Sequence, residues 1–351
     1  MTKIAAVIGA KNEWPLLAAT ASHALLNYAD HLYLFDHSST DGSRAGISEL
    51  IKKFPGRITF FESDLEPFDQ EAIFNILFFR ACKDGYDWVH FLDADEFLVI
   101  EHGEQLSEIL ETVSEEWAAL AIRVENFIIN SDEELSLGDE LLAANYRAKT
   151  ELDLGQPIET FLLSVQDGRR LPQEKRTSPK LLVRAREDLF LSHGGHQLKY
   201  GNGVDWLQFD SRIAGADPLN LYIAHLPFTS IERVRSRHKR AFLDKVNEKY
   251  RIVQELSDEE SVRQFWQSSR LSPQKIKDGI FAAQIVHDES FIASLQKTLD
   301  FLKKNEPIFS DLSEVAASNG FVGEQISVTE LIENVRRYIN GADVYWARIP
   351  D

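Results

Sequence analysis

The first hundred residues alternate between short apolar runs and segments of helical spacing, and this alternation restricts the fold more than any other feature. Runs rich in large or β-branched apolar residues, typical of buried strands, occupy 3–9, 31–36, 57–62 and 88–92. Between them, 14–28, 43–54 and 68–83 repeat apolar residues at helical spacing. Strand and helix in alternation predict right-handed crossovers and an α/β fold with a doubly wound, mainly parallel sheet.

Length and charge bound the rest of the chain. Its 351 residues exceed the size at which one core stops growing, which is roughly 250–300 residues. We therefore expect an α/β domain over 1–235 and a C-terminal helical region over 236–351, where apolar residues recur at three and four. A net charge of −18 argues against a nucleic-acid partner. No long apolar run or signal-peptide pattern is present, so the expected location is cytoplasmic.

Polar residues follow three of the four strands. The loop after the first contains Lys11, Asn12 and Glu13, the second strand ends on Asp36, and the fourth on Asp93, with Asp95 two residues on. Carboxyl ends of parallel strands meet at one edge of a sheet, where α/β folds bind ligands. Carboxylates there suit a nucleoside diphosphate with a hard divalent cation, either Mn²⁺ or Mg²⁺. A solvated turn is the alternative for a pair of acids alone.

Three motifs together resemble one enzyme family. They are K-N-E at 11–13, D-x-S-x-x-D-G-S at 36–43 and L-D-A-D-E-F at 92–97. In order and spacing they resemble family 2 glycosyltransferases, in the branch that reads KNE, D-x-S-x-D-G and LDxDEF. This chain departs from that pattern by one extra residue between Ser38 and Asp41. The resemblance implies a GT-A fold, a nucleotide-sugar donor such as a UDP-sugar, a Mn²⁺ or Mg²⁺ ion, and a glycan or glycolipid acceptor.

The resemblance also assigns residues to the donor. Glu13 and Asp36 would contact the nucleoside, Asp41 would shape that pocket, and Asp95 would bind the metal directly. Asn75 occupies a place where similar enzymes put a polar donor contact, with a helix-surface asparagine as the alternative. The full donor set is Lys11, Asn12, Glu13, Asp36, Asp41, Asn75 and Asp93.

The resemblance further implies a histidine ligand. His225 ends the apolar run 221–225 and precedes a proline, as a strand-end histidine does in similar enzymes. The implied metal ligands are Asp93, Asp95 and His225. Either His193 or His196, on a glycine-rich segment, is the alternative to His225.

An inverting transfer, which the resemblance implies, needs a general base for the acceptor hydroxyl. The candidates are Glu125, His196 and Asp205. Glu125 interrupts an apolar run, and because an unpaired buried carboxylate is costly, it either faces the site or has a partner.

Basic residues suggest further contacts. Among those in 168–186, Lys180 is best placed to attract a diphosphate, although most of the others belong to a solvated face. A basic helix after Ser230 is either solvated or in contact with anionic lipid headgroups. The C-terminal helices are candidates for an acceptor or homo-oligomer contact.

Two other functional classes fit parts of the pattern. An aspartyl-nucleophile phosphatase also uses Asp-x-Asp after a strand, with Asp93 as the nucleophile. Such enzymes carry the motif on their first strand and have Thr or Val where Phe97 stands here. The other class is a GT-A-shaped binding protein without turnover.

Overall fold

The computed structural model describes residues 1–63, 70–132, 138–149, 164–165, 168–175, 177–200, 213–231, 233–235, 259–310 and 325–327. The chain divides into two compact units. Unit 1 comprises 1–123, 178–223 and 295–351, and unit 2 comprises 124–177 and 224–294. The boundaries between these units do not coincide with the predicted domain boundary at residue 235. Because 236–258 lie outside the described residues, that boundary stays a prediction.

Unit 1 contains four parallel strands in the order β3-β2-β1-β4. They are β1 Ile4–Ala10, β2 His31–Asp36, β3 Ile58–Glu62 and β4 Trp88–Asp93. The helices between them are α1 Leu16–Asn27, α2 Ser43–Lys53 and α3 Gln70–Lys83. The order reverses at β1, so ligand-binding loops are expected after β1, β2 and β4. The predicted α/β class with a doubly wound, mainly parallel sheet is confirmed.

Both faces of β1 are buried. Ala5 and Val7 join a core cluster with the apolar side of α3, including Phe74 and Phe78. The alternate residues, such as Ile8, are equally buried and point to the other face of the sheet. Burial on both faces explains why these strands are continuous apolar runs in the sequence.

The remaining elements of unit 1 extend this sheet or cover it. β8 lies antiparallel between β4 and the first half of β6, β11 runs parallel to β6, β12 pairs with β5, and β14 runs parallel to β3. Their bounds are β5 Glu96–Ile100, α4 Leu106–Glu111, β6 Ala119–Ile128, β8 Lys180–Arg184, β9 Leu189–Leu191, β10 Leu198–Tyr200, β11 Ile213–Gly215, β12 Leu221–His225, α9 Gln296–Ser310 and β14 Gln325–Ser327. Short 3₁₀ turns occupy Glu101–Gly103, His193–Gly195 and Asp217–Leu219.

Unit 2 contains the second half of β6, which pairs with β7, and β7 pairs with β13. Its elements are α5 Asp139–Ala143, β7 Tyr146–Ala148, a 3₁₀ turn at Pro172–Glu174, α6 Glu259–Ser268, α7 Pro273–Lys277, β13 Ile285–His287 and α8 Ser290–Ser294. Val234, Val262, Phe265 and Trp266 form one of its core clusters.

The described part of 236–351 is mainly helical, as predicted, but it also contributes two three-residue strands. β13 pairs with β7, and β14 adds to the edge of β3. No helix among the described residues is long and apolar enough to cross a membrane.

Candidate active site

The strand register brings two of the predicted acids to one edge of unit 1. Gly9 of β1 is aligned with Asp93 of β4, and Ala10 is aligned with Asp36 of β2. The two acids therefore flank β1 one register position apart. The loops that continue from these three strands all leave the carboxyl edge of the parallel sheet.

Asn12 links the first two of these loops. Its Oδ1 accepts hydrogen bonds from the backbone N–H of Thr40, at 2.7 Å, and of Asp41, at 3.3 Å. Its own N–H donates to Ser39 Oγ at 2.8 Å. Asn12 also adopts φ of 56°, a left-handed conformation that asparagine tolerates better than most residues. In the same loop Glu13 is buried and Lys11 is half-buried.

Asp36 is a buried carboxylate held by neutral donors. It is 2% exposed and accepts hydrogen bonds from the N–H and the hydroxyl of Ser39. Burial raises the pKa of Asp36 above its usual value, although the Ser39 hydrogen bonds act in the opposite direction. The protein thus keeps an acid where burial disfavours its charge, which is common at functional sites.

Asp41 organises the loop into α2. Its Oδ1 accepts from the N–H of Ser43, the first residue of α2, at 2.9 Å, and its Oδ2 accepts from the N–H of Trp14 at 3.2 Å. Both bonds fix the conformation of the loop. A direct contact of Asp41 with a nucleoside stays a prediction.

The turn after β4 contains a charge cluster around the buried ammonium of Lys180. Asp93 Oδ2 lies 2.9 Å from Lys180 Nζ, and Glu96 Oε2 lies 3.1 Å from the same ammonium. The other oxygen of Asp93, Oδ1, accepts from Gln70 Nε2 at 3.1 Å. Glu96 Oε2 also accepts from the N–H of Asp93 at 2.9 Å, which closes the turn between β4 and β5.

The ammonium sets the charge state of this cluster. Burial opposes ionisation of Asp93, but the neighbouring Lys180 outweighs it, with a smaller contribution from His196, and lowers the pKa of Asp93. Burial would likewise depress the pKa of Lys180, yet the two carboxylates raise it. Lys180 is only 1% exposed and contacts both carboxylates, and its predicted attraction for a diphosphate stays a prediction.

The sequence predicts a hard divalent cation at this turn. Both oxygens of Asp93 are engaged, by Lys180 and by Gln70. Asp95, the predicted direct ligand, is only 1% exposed. Among the described residues, no three or more His, Cys, Asp or Glu side chains form a group that could hold a metal ion. Mg²⁺ and Mn²⁺ at nucleotide sites, however, commonly bind one or two carboxylates plus phosphate oxygens and water. The metal assignment stays a prediction.

Asn75 is fully buried in α3 and is not a helix-surface residue. Its Nδ2 donates to the carbonyls of Glu71 and Leu191, and its Oδ1 accepts from the N–H of Leu191. The amide thereby joins α3 to β9. For the Asn75 amide to bind a nucleotide-sugar donor instead, its hydrogen bonds with the Leu191 backbone would have to break.

The glycine-rich segment after β9 positions His196. Gly195 has φ of 68°, and a Cβ there would lie 3.1 Å from Phe91 Cβ, so the segment packs closely on β4. His196 Nδ1 lies 2.8 Å from the carbonyl oxygen of Pro179. A carbonyl only accepts, so Nδ1 carries the proton and Nε2 carries the lone pair of the neutral ring.

In unit 2, Glu125 has a partner. Its Oε1 lies 3.2 Å from Arg147 Nη1, and the same guanidinium contacts Asp288 at 2.9 Å. The sequence predicted that Glu125 either faces the site or has a partner, and the structure shows a partner.

His225, at the end of β12, contacts an amide. Its Nδ1 lies 2.7 Å from Asn126 Oδ1, and Asn126 is buried in β6. Asp205 lies outside the described residues, and so does the side chain of His193.

Sequence reasoning did not find the supporting residues Gln70, Ser39, Glu96 and Asn126. Glu96 lies inside the L-D-A-D-E-F motif, and Asn126 interrupts an apolar run, so both carried a detectable signal. Ser39 lies inside the motif at 36–43, whereas Gln70 carried no such signal.

Comparison with known proteins gives only distant similarity. No family model and no curated protein matches the chain. A crystal structure of S. aureus TarS 1–349 is 13% identical over 100% of this chain and 95% of that chain, with a TM-score of 0.37. The galactosyltransferase LgtC, in complex with donor and acceptor sugar analogs, is 15% identical over 34% of this chain and 46% of that chain, with a TM-score of 0.24.

Glucosyl-3-phosphoglycerate synthase from Mycobacterium tuberculosis, in complex with Mn²⁺, UDP and glucosyl-3-phosphoglycerate, is 17% identical. The match covers 35% of this chain and 44% of that chain, with a TM-score of 0.23. With TM-scores of 0.37 or less, these similarities are too weak to assign an activity.

Proposed function

We propose that this chain is a metal-dependent glycosyltransferase of the GT-A type. It transfers a sugar from a nucleotide sugar, a UDP-sugar by family resemblance, to a hydroxyl group of a glycan or glycolipid, with inversion. The observation that carries this proposal is the placement of Asp36 and Asp93 on the two strands that flank β1, at the edge where the sheet order reverses.

The spacing of these acids suits a nucleoside diphosphate. Neighbouring strands lie about 4.8 Å apart, so acids on the two strands that flank β1 are separated by roughly 10 Å. A nucleoside beside Asp36 would place its diphosphate towards the turn after β4. Asp36 would accept hydrogen bonds from base or ribose, since an ionised carboxylate has acceptor sites beyond those taken by Ser39.

Asp95 would hold the cation, and Asp93 would shape its charge environment. A bound Mn²⁺ or Mg²⁺ supplies Lewis-acid stabilisation of the charge that develops on the leaving diphosphate. Lys180 and Gln70 fix the orientation of Asp93, and Lys180 offsets part of the negative charge of the turn. These contacts fix the geometry of the turn.

His196 is the described base candidate whose surroundings fit the role best. The carbonyl of Pro179 accepts from Nδ1, so Nε2 is the ring nitrogen that would take a proton from an acceptor hydroxyl. Glu125 is less suited, because its Oε1 is engaged in an ion pair with Arg147. Asp205 stays a candidate.

Turnover is the test. Purified protein would be incubated with a panel of nucleotide sugars and Mn²⁺, and nucleoside diphosphate release would be measured with and without EDTA. We expect slow hydrolysis of one donor that EDTA abolishes. Binding of a nucleoside diphosphate without hydrolysis or transfer would favour the non-catalytic alternative. No binding of any nucleoside diphosphate in the presence of Mn²⁺ would contradict the proposal.

The same purified protein can be used to distinguish a glycosyltransferase from an aspartyl-nucleophile phosphatase. Beryllofluoride mimics a phosphate group on an aspartyl nucleophile, and the proposal predicts no beryllofluoride adduct on Asp93. A covalent phospho-Asp93 would move the assignment to the phosphatase class.

A further inference from the structure

Gln70, the first residue of α3, contacts the accessible side of the Asp93 carboxylate. Its Nε2 lies 3.1 Å from Asp93 Oδ1, whereas Asp93 Oδ2 lies 2.9 Å from Lys180 Nζ. The Lys180 side chain is only 1% exposed, but that of Asp93 is 40% exposed. Because Lys180 closes one side of the carboxylate to solvent, the accessible side is the one on which the half-buried Gln70 lies. A molecule that reaches Asp93 therefore meets Gln70 as well.

The charge of Asp93 determines the orientation of the Gln70 amide. Although burial opposes it, Lys180 keeps Asp93 ionised by lowering its pKa, and an ionised carboxylate only accepts hydrogen bonds. The amide must therefore turn its NH₂ group, and not its carbonyl oxygen, towards Asp93 Oδ1. The chemistry of the partner thus distinguishes the nitrogen of the amide from its oxygen. Among the described residues, Asp93 is the hydrogen-bond partner of this side chain, so Gln70 Oε1 keeps its capacity to accept.

The order of groups in a nucleotide sugar places the sugar next to this pair. With the nucleoside beside Asp36 and the diphosphate towards the turn after β4, the sugar on the distal phosphate lies at or beyond that turn. Sugar hydroxyl groups both donate and accept hydrogen bonds. A carboxylate and an amide oxygen that are fixed side by side offer acceptors for such hydroxyls, and a few polar groups placed in this way give a small-molecule site its specificity.

We propose that Gln70 is a specificity-determining residue for the sugar of the donor: its Nε2 is held by Asp93, and its Oε1 accepts a hydrogen bond from one sugar hydroxyl. The contact with the sugar rests on the proposed function. The anchoring of Gln70 on Asp93 does not, since it follows from contacts within unit 1. Separate measurements test the two parts.

The anchoring can be measured without any ligand. In ¹H–¹⁵N correlation spectra of the wild type, the side-chain NH₂ signals of Gln70 are identified by their absence in Gln70→Met. We expect these signals to move in Asp93→Asn, because the NH₂ group then loses its charged acceptor. They should stay in place in the control Lys83→Met, since Lys83 is exposed at the far end of α3. Unchanged Gln70 signals in Asp93→Asn would overturn the proposal, whatever the protein catalyses.

Calorimetry tests the contact with the sugar. UDP, UDP-glucose, UDP-galactose and UDP-N-acetylglucosamine would be titrated in one buffer into wild type, Gln70→Met and Lys83→Met. Met retains the length of the side chain and removes both of its hydrogen-bonding groups. We expect Gln70→Met to bind the preferred UDP-sugar about three- to tenfold more weakly, the effect of one neutral hydrogen bond, and to bind UDP within about twofold of wild type. Lys83→Met should bind both as the wild type does.

Deoxy analogues of the preferred UDP-sugar, each lacking one hydroxyl, identify the group that Gln70 binds. In the wild type, removal of that hydroxyl should weaken binding by about three- to tenfold. In Gln70→Met the same removal should have little further effect, because the two changes then delete one interaction. The same loss for every analogue in both proteins would overturn the sugar contact.

A failure of this proposal differs from a failure of the proposed function. If Gln70→Met loses UDP and UDP-sugar affinity equally, or loses neither, the sugar contact is overturned, while donor binding by the wild type still supports a glycosyltransferase. If the wild type binds neither UDP nor any UDP-sugar, the proposed function fails and the sugar contact fails with it. The NH₂ signals of Gln70 then decide the anchoring on Asp93 alone.

Discussion

The turn after β4 and the surroundings of Asn126 both orient polar side chains, but they do so by different interactions. At the turn, the Lys180 ammonium holds Asp93 and Glu96, so charge is balanced by charge. At Asn126, a neutral amide holds a histidine and two backbone carbonyls. The charge cluster at the turn depends on a single counter-ion, Lys180. The arrangement around Asn126 depends on the directions of its hydrogen bonds.

This difference predicts how each region responds to substitution. Removing one partner of a buried ion pair leaves an uncompensated charge and is strongly destabilising. Removing one partner of a neutral hydrogen bond costs about 1–3 kcal/mol. Substitutions at the charged turn should also impair function more than substitutions at Asn126. The turn would lie next to a cation and a diphosphate, whereas the Asn126 amide would set only the tautomer of a histidine.

Lys180→Met gives the largest expected effect on stability, because it removes the counter-ion of two carboxylates. Water can reach Asp93, whose side chain is 40% exposed, but hardly Glu96, at 2%. We therefore expect a loss of about 3 kcal/mol in the free energy of unfolding, at the lower end of the range for broken buried pairs. Urea unfolding at pH 7 measures it.

Lys53→Met is the matched control, since Lys53 is exposed in the last turn of α2. It should change the unfolding free energy by no more than about 0.5 kcal/mol. Equal effects of the two substitutions would show that the β4 turn is not held by charge.

Asp36→Asn tests an intermediate case, a buried carboxylate held by neutral donors. If Asp36 contacts the nucleoside through charge-assisted hydrogen bonds worth about 1.5–3 kcal/mol, the variant should bind UDP about ten- to a hundredfold more weakly. Calorimetry measures the affinity. Normal UDP binding by a correctly folded variant would refute the nucleoside contact.

The pH dependence of stability supplies a second readout for Asp36. Because the folded pKa is raised, the ionised carboxylate costs stability above that pKa, and the cost disappears as pH falls through it. Asn mimics the neutral acid. Relative to wild type, Asp36→Asn should therefore be most favourable at pH 7 and lose this advantage towards pH 4. An advantage that grows on acidification would contradict the raised pKa.

Asn12→Ala tests a half-buried amide and should cost less stability than Lys180→Met. It removes the acceptor for two loop N–H groups and places alanine at φ of 56°, and together these should cost about 2 kcal/mol. Asn12→Gly loses the same bonds without the backbone strain, so thermal unfolding should place it between wild type and Asn12→Ala. A less stable glycine variant would show that backbone strain is not part of the role of Asn12.

The ends of the four parallel strands could be predicted to within about one residue. A strand that is buried on both faces needs apolar residues at nearly every position, so it is visible in the sequence as a continuous apolar run. β13 and β14 could not, because each has three residues and exists only through its partner strand. Helix ends were less accurate: the first helical segment was expected over 14–28, whereas α1 spans Leu16–Asn27.

The polar residues at the ends of β1, β2 and β4 could be predicted for the same reason as the strands, since topology alone places them on one edge. Their partners could not. Lys180 lies 87 positions from Asp93, and His225 lies 99 positions from Asn126, so only the folded chain joins them. A buried polar residue in an apolar run, such as Asn126, indicates that a partner exists but not which one.

The account depends most directly on a divalent cation at the turn after β4. Calorimetric titration of wild type and Asp95→Ala with UDP, each with and without Mn²⁺, tests it. We expect Mn²⁺ to strengthen UDP binding to the wild type and to have no such effect on a folded Asp95→Ala, whose Mn²⁺-dependent turnover should also be lost. Equal Mn²⁺-dependent UDP binding by both proteins would contradict the account.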